Sequence, residues 1–223
     1  EILPDKGMLM ILIITFCLTA ISSGRPMRLL ISATLGMLVA VIVSTPANLV
    51  EQTRSFFAVH SVYETPNGEG RYLKHGNTLH GAERWTNAYG QPLGSRPEPA
   101  SYFHFGGAYH QAIDQARAAH GGKLAKVAVI GLGMGSLACH SQPGETWDFF
   151  EIDSEVVRIA RDKQLFRTFS ECTPGAKVVI GDGRLTLASA PGGYDLIMLD
   201  AFSSASPPVH LVPKEAVALY ASK

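Results

Sequence analysis

The sequence has almost no net charge, because its 19 Lys and Arg residues balance 19 Asp and Glu residues among 223. A protein that binds nucleic acid through its phosphates needs a surplus of positive charge, so this composition argues against that class. Charged residues are also few, at 17%, whereas hydrophobic residues make up 46%. A chain with so much apolar material is not a disordered tail.

Cysteine is scarce as well. Cys17, Cys139 and Cys172 are an odd number at unrelated spacings, so neither a disulfide framework nor a zinc site is predicted. Several histidines precede the second half of the chain, but their spacing fits no tight ligand motif, and no metal is predicted. They are interpreted as pocket or surface residues: His75, His80, His104 and His110.

Charge is missing from residues 7–24, and again from residues 29–50. Each run is about as long as the 20 apolar residues that cross a bilayer, and the seven residues SSGRPMR, which overlap the end of the first run, connect them. Residues 1–54 are therefore predicted to form a transmembrane helical hairpin, with a buried hairpin in a soluble protein as the alternative. A cleaved signal peptide is disfavoured because a second apolar run follows at once. The flanking Lys and Arg residues are equally divided, so charge sets no orientation.

Residues 55–100 are predicted to form a small β unit followed by a loop. Short apolar stretches alternate there with turn signals, among which Asn67-Gly68 suits a hairpin because both residues tolerate positive φ. Residues 101–223 then alternate helical and strand patterns, including the near-continuous apolar strands KVAVIG, WDFFEID, KVVIGD and YDLIMLD. This alternation predicts an α/β fold, with a doubly wound, mostly parallel sheet of the Rossmann type.

A glycine-rich turn follows the first of these strands. Gly131, Gly133 and Gly135 let the backbone approach a ligand, and Glu151 ends the next strand twenty residues after Gly131. An acid at that place can accept hydrogen bonds from both ribose hydroxyls, so the pattern predicts a nucleotide site.

Further acids end neighbouring strands. Asp182 and Asp200 both follow apolar strands, and the carboxyl ends of parallel strands meet in one crevice. Asp182-Gly183 can also be a plain turn or a helix N-cap, and Asp153 before SEVVRIARD fits an N-cap better than a ligand contact. Asp153 is kept as a secondary site residue.

Four motifs resemble the spermidine synthases, which are polyamine aminopropyltransferases on a methyltransferase-like sheet. They are VAVIGLGMGS, FFEIDSEVV, VVIGDGRL and YDLIMLDAFSS. The resemblance covers about residues 55–220, where GRYLKHGNTLHGAERW is similar to the small N-terminal β unit of that family. It is closest to the bacterial branch in which this domain is fused to transmembrane helices. It also implies a sheet that continues beyond the fourth strand, so the C-terminus is interpreted as truncated.

The resemblance implies a role for each matching residue. The glycines at 131, 133 and 135 would line the methionine-derived part of S-adenosylmethionine or its decarboxylated form, while Glu151 would hold the ribose. Asp182, followed by Gly183, would accept from the adenine amino group, and Asp200 would be the catalytic acid-base residue. The implied reaction is aminopropyl transfer with release of methylthioadenosine.

Two positions depart from the family pattern, since Met134 and Ser203 stand where the family has acids. A dicationic polyamine would lack its usual counter-charges. We therefore expect methylthioadenosine release from S-adenosylmethionine itself, with little stimulation by diamines. The weaker candidates for substrate contacts are His80, Glu83, Tyr102 and His104.

The sequence thus predicts an enzyme of the inner membrane, multi-pass, with its catalytic domain facing the cytoplasm. Its partners would be a small nucleoside, a polyamine acceptor and the lipid bilayer, but no nucleic acid, and homo-oligomerisation stays open. Two alternatives remain. One is a cyclase, lyase or methyltransferase that uses S-adenosylmethionine without a polyamine. The other is a non-catalytic module that senses a nucleoside.

Overall fold

The computed structural model describes residues 6–22, 24–44, 46–76, 78–87, 89–94, 97–202 and 206–223. The chain divides into two compact units, Glu1–Leu49 and Val50–Lys223. The first unit contains two helices that contact each other, α1 (Lys6–Ser22) and α2 (Pro26–Ser44). Proline is favoured at the first position of a helix because its missing amide hydrogen has no partner there anyway, which suits Pro26.

The predicted transmembrane spans over residues 7–24 and 29–50 are wrong. Among the residues that the structure describes, no helix combines the length and apolar character that crossing a bilayer requires. α1 has 17 residues, or about 26 Å of helix, against a hydrocarbon core of about 30 Å. α2 contains Arg28 and ends at Ser44, whereas the second predicted span continues to Val50, which belongs to the first strand. The predicted inner-membrane location rests on these two spans, so it is wrong as well.

The second unit begins with a five-stranded sheet. Its strands follow one another in space as in the chain: β1 (Leu49–Arg54), β2 (Val59–Glu64), β3 (Gly70–His75), β4 (Thr78–Arg84) and β5 (Glu98–Pro99). β2 to β5 pair antiparallel. The turn between β2 and β3 contains Gly68 with φ of +70°, a conformation that glycine adopts without strain.

A four-stranded parallel sheet follows, with the order β8-β7-β6-β9. Its strands are β6 (Lys126–Ile130), β7 (Thr146–Glu151), β8 (Lys177–Ile180) and β9 (Leu196–Leu199). The helices of this part of the chain are α3 (Ala108–Ala119), α4 (Ser154–Arg161), α5 (Thr168–Cys172), α6 (Gly183–Ala188) and α7 (Lys214–Ala221). The predicted Rossmann-like α/β fold is confirmed.

Both faces of the parallel sheet are buried. In β6, Val127 and Val129 point into one apolar core, which also contains residues of α3, α4 and α5. Ala128 and Ile130 point into a second core, which contains residues of α6 and α7. Successive side chains of a strand alternate between faces, so an unbroken apolar strand is what a sheet covered on both sides requires.

The segment after the glycine turn contains no long helix. It forms a short 3-10 helix, Ser136–His140, which ends before Pro143-Gly144. Proline disfavours helical backbone at the residue before it. Cys139 in this helix forms a disulfide with Cys172 at the end of α5. The spacing of the cysteines gave no sign of this bond, because the two residues meet only through packing of α5 on the 3-10 helix.

Candidate functional site

The carboxyl ends of all four parallel strands lie along one edge of the sheet. Asp182 follows β8, Glu151 ends β7, Gly131 follows β6 and Asp200 follows β9, and this is also their order along the edge. All four residues line a cavity of about 350 Å³. The antiparallel sheet contributes the other side of this cavity through residues of β2, β3 and β4.

The glycine turn brings backbone close to backbone. Gly131 has φ of +99°, and a Cβ atom built there would lie 2.6 Å from the carbonyl oxygen of Asp200. Gly133 has φ of +55°, and its Cβ would lie 2.8 Å from the carbonyl oxygen of His80. Both glycines line the cavity. Gly135 does not, because it packs against Phe169, 2.5 Å from where its Cβ would be.

Glu151 is buried and fixed by the backbone. One carboxylate oxygen accepts a hydrogen bond from the amide of Leu132 at 2.8 Å, and the other accepts from the amide of Asp153 at 3.0 Å. Burial raises the pKa of Glu151, and these amide hydrogen bonds oppose the rise. Each oxygen keeps a second lone pair. The carboxylate can therefore accept two further hydrogen bonds in a fixed orientation.

Asp182 caps the N-terminus of α6, as the alternative interpretation predicts, and it also lines the cavity. Its Oδ1 accepts from the amide of Leu185 at 3.0 Å, at the start of α6. Its Oδ2 lies 2.8 Å from Nε2 of His210. The neighbouring Gly183 also lines the cavity, and a Cβ atom there would lie 2.4 Å from a methyl carbon of Ile130.

Asp200 is an acid whose pKa is raised toward neutrality. Its Oδ1 accepts a hydrogen bond from the hydroxyl of Tyr109 at 2.6 Å. Burial raises the pKa of Asp200 to about 6, although the bond from Tyr109 lowers it. A carboxylate with this pKa is mostly ionised at pH 7 and can still accept a proton readily, which suits a general base.

Tyr102 lies close to this acid without lining the cavity. Burial raises the pKa of Tyr102, and the charge of Asp200 raises it further. Its ring contacts that of Tyr109, with 6.1 Å between ring centroids. Tyr102 therefore stands behind Tyr109, the residue that contacts Asp200 directly.

Asp153 caps α4 and also anchors a histidine. Its Oδ1 accepts from the amide of Glu155 at 2.9 Å. Its Oδ2 accepts from the hydroxyl of Ser55 and lies 2.8 Å from Nε2 of His60. Burial acts to raise the pKa of Asp153, but the hydrogen bonds from Ser55 and His60 give it a lower pKa than usual. The carboxylate is thus ionised, and His60 Nε2 is the donor of the pair.

Two further predicted site residues, Glu83 and His104, lie elsewhere. Glu83 is buried and accepts hydrogen bonds from the indole of Trp85 and from the amides of Arg167 and Thr168. His104 is exposed and contacts its own turn at Ser101. Neither residue lines the cavity.

Of the two positions where acids were expected, one can be located. Met134 is fully buried in a core that includes Leu73 and Phe166, so its side chain does not reach the cavity. Ser203 lies outside the described residues. Among the residues that the structure describes, no group of three or more His, Cys, Asp and Glu side chains is arranged to hold a metal ion.

The sequence predicts no role for four residues of this site: Ser55, His60, Tyr109 and His210. His60 did carry a signal, because a histidine inside the apolar strand FFAVHSVYE must either face solvent or have a buried partner. Tyr109 and His210 carried none, since each meets its acid only through the tertiary fold.

Comparison with solved structures supports the fold. The spermidine synthase from Thermotoga maritima has a TM-score of 0.52 to this chain at 18% identity, with 77% of this chain and 52% of that one covered. A spermidine synthase in complex with the transition-state analogue AdoDATO has a TM-score of 0.51 at 17% identity, covering 78% and 52%. The chain therefore shares the spermidine synthase fold and spans about half the length of these two proteins.

A third structure, human methyltransferase-like protein 13 in complex with SAH, has a TM-score of 0.39 at 27% identity and covers 52% of this chain and 60% of that one. No protein-family model matches the sequence. No curated protein matches it either.

Proposed function

We propose that the cavity binds a nucleoside of the S-adenosylmethionine type and that residues 101–223 form the nucleoside-binding domain. The observation that carries this proposal is the order of groups along the sheet edge, Asp182, Glu151, Gly131 and Asp200. The order matches the order of groups in the ligand: adenine, ribose, the sulfur substituents and the reacting carbon. Open parallel sheets bind ligands at this edge.

Each contact follows from the chemistry of its residue. Glu151 presents two fixed oxygens, and a ribose diol offers two hydroxyl donors in the matching arrangement. Asp182 can accept from the adenine amino group. Gly131 and Gly133 carry no Cβ atom, so the glycine turn packs closely against the carbonyls of Asp200 and His80 and presents backbone to the sulfonium substituents. A spermidine synthase of the same fold was solved in complex with the transition-state analogue AdoDATO, which supports a ligand of this type.

The proposed reaction is alkyl transfer from the sulfonium, with aminopropyl transfer as the leading form. The nitrogen lone pair of an acceptor amine attacks the carbon attached to sulfur, and the C–S bond breaks with its electron pair moving to sulfur. Methylthioadenosine leaves as a neutral thioether. The ammonium formed by the attack gives its proton to Asp200, whose pKa of about 6 suits a base at neutral pH.

A second candidate is use of S-adenosylmethionine without a polyamine, through cyclisation, elimination or methyl transfer. This candidate is favoured because four carboxylates around the cavity already accept hydrogen bonds from the protein. They are those of Glu151, Asp153, Asp182 and Asp200. A diamine would compete with those donors for its counter-charges. A purely sensory module is less well supported, since sensing gives no reason for a carboxylate with a pKa near neutrality at this edge.

The test is product analysis by mass spectrometry. The protein is incubated with S-adenosylmethionine or with its decarboxylated form, each with and without putrescine. Methylthioadenosine together with a spermidine-like product means aminopropyl transfer, and methylthioadenosine from S-adenosylmethionine alone means lyase or cyclase chemistry. If neither nucleoside is consumed and neither binds in calorimetry, the proposed function is wrong.

A further inference from the structure

Three histidines of the antiparallel sheet line the cavity. His60 on β2 pairs across the sheet with His75 at the end of β3, and His80 lies on β4. The ring centroids of His60 and His75 are 5.4 Å apart, and those of His75 and His80 are 5.0 Å apart in a stacked arrangement. We call these three residues the histidine wall.

The histidine wall is short of hydrogen-bond partners. His60 Nδ1 and His80 Nε2 are buried and have no hydrogen-bond partner among the described residues. Buried polar atoms normally have a partner, because leaving one without a partner costs about 1–3 kcal/mol. Both histidines line the cavity. These two atoms are enclosed by protein, so the histidine wall faces the cavity through its other ring atoms.

Two of the rings are uncharged in the free protein. Burial, together with the nearby His75 and His60, lowers the pKa of His80 to about 4. The pKa of His75 is lowered by burial and by His60, while Asp153 opposes the shift. These are the titratable groups that act on the pair. An anion placed beside the rings would favour their protonated forms, because it offsets the burial penalty and the mutual repulsion.

The position of the histidine wall relates it to one end of the proposed nucleoside. The carbonyl of His80 lies against Gly133, so the His80 end of the wall adjoins the glycine turn, while His60 at the other end contacts Asp153. With adenine at Asp182 and ribose at Glu151, the amino-acid end of the ligand reaches the glycine turn. Of the ionic groups at that end, the α-carboxylate is the one that histidine N–H groups can pair with.

We propose that His75 and His80 bind the α-carboxylate of the nucleoside, so that the site takes S-adenosylmethionine itself in preference to its decarboxylated form. This inference rests on the proposed function and names the substrate form of that same site. An amine is the poorer occupant of this place. Asp153, the carboxylate beside the wall, already accepts from three protein donors, and Met134 is turned into the core.

The test compares two unreactive probes by calorimetry, S-adenosylhomocysteine and its decarboxylated counterpart. Wild-type protein is expected to bind the carboxylated probe at least about 10-fold more tightly, the usual size of a hydrogen bond to a charged group. His80→Leu and His75→Leu should each reduce that ratio several-fold while leaving affinity for the decarboxylated probe within about threefold. His80→Gln keeps an N–H donor and should restore part of the preference. His120→Leu, an exposed histidine on another element, is the matched control.

Proton uptake gives a readout that a merely structural role would not change. Binding of the carboxylated probe is measured by calorimetry at pH 7 in two buffers of different ionisation enthalpy. We expect the wild type to take up a fraction of a proton on binding, and His80→Leu to take up less. Retained binding of the decarboxylated probe shows that a variant is folded. Equal affinity of the wild type for both probes, or a preference that survives both leucine substitutions, overturns the inference while the proposed function stands. If neither probe binds the wild type, both fail.

Discussion

The two sides of the cavity differ in what they leave open. The strand-end side carries the carboxylates of Glu151, Asp182 and Asp200, and every one of them is held by a donor from the protein. The opposite side carries imidazoles with buried nitrogens that have no partner among the described residues. The carboxylates are held in place before a ligand arrives. We infer that the histidines gain a partner only when the ligand binds. Substitutions on the first side should therefore affect binding of any nucleoside, and substitutions on the second should affect the choice between nucleosides.

The largest effect is expected at Asp200. Asp200→Asn removes the proton acceptor while keeping the shape of the side chain, so turnover should fall by about 10² to 10⁴. Nucleoside affinity should stay within a few-fold, as calorimetry can measure. Asp114→Asn, an exposed acid on α3, is the matched control. Lost affinity with normal turnover of the bound fraction would instead make Asp200 a binding residue.

The disulfide stabilises the segment behind the glycine turn. Replacing Cys139 and Cys172 by serine should lower the free energy of unfolding by about 2–4 kcal/mol, mainly because a closed loop restricts the unfolded chain. Urea denaturation measures this change. Cys17→Ser is the control, since Cys17 is an exposed free thiol. An equal midpoint for the double variant and the wild type would contradict the prediction.

Glu151→Ala tests the preorganised side directly. It removes the two oxygens proposed to hold the ribose, so nucleoside binding should weaken by about 1.5–3 kcal/mol. The loss should be the same for the carboxylated and decarboxylated probes, unlike the loss in His80→Leu. Glu215→Ala, an exposed glutamate of α7, serves as control. Unchanged affinity in a folded Glu151→Ala protein would mean that the glycine turn serves another ligand.

The smallest effect concerns the pH dependence of the reaction. The base must be deprotonated, so the rate should fall on the acid side with a midpoint near pH 6, the pKa of Asp200. The hydroxyl of Tyr109 stabilises the charged carboxylate, so Tyr109→Phe should raise this pKa and move the acid limb to higher pH. The rate at pH 7 should drop and recover by about pH 8–9. A limb that stays in place would exclude Tyr109 as a positioning residue for Asp200.

The two sides of the cavity were also unequally predictable from the sequence. Gly131, Glu151, Asp182 and Asp200 each directly follow or end an apolar strand, and the geometry of a parallel sheet brings such positions to one edge. His60 and Tyr109 face their acids across 93 and 91 residues of sequence. No local pattern records such a distance, because these contacts depend on how the antiparallel sheet and α3 pack against the parallel sheet.

The N-terminal helices show the opposite failure. The uncharged runs 7–24 and 29–50 predict the wrong helix ends, because the ends of a helix are set by local backbone constraints and not by the absence of charge. Pro46 follows α2 closely, and proline does not continue a helix interior. The last residues of the second run form the start of β1, where pairing with β2 overrides apolar composition.

The central claim is that the strand ends orient a nucleoside in one direction along the sheet edge. A crystal structure of the protein with S-adenosylhomocysteine bound tests it most directly. We predict adenine at Asp182, the ribose hydroxyls within hydrogen-bond distance of Glu151, sulfur beside Gly131 and Asp200, and the carboxylate at His80. A nucleoside bound in the reverse direction, or outside this cavity, would contradict the account.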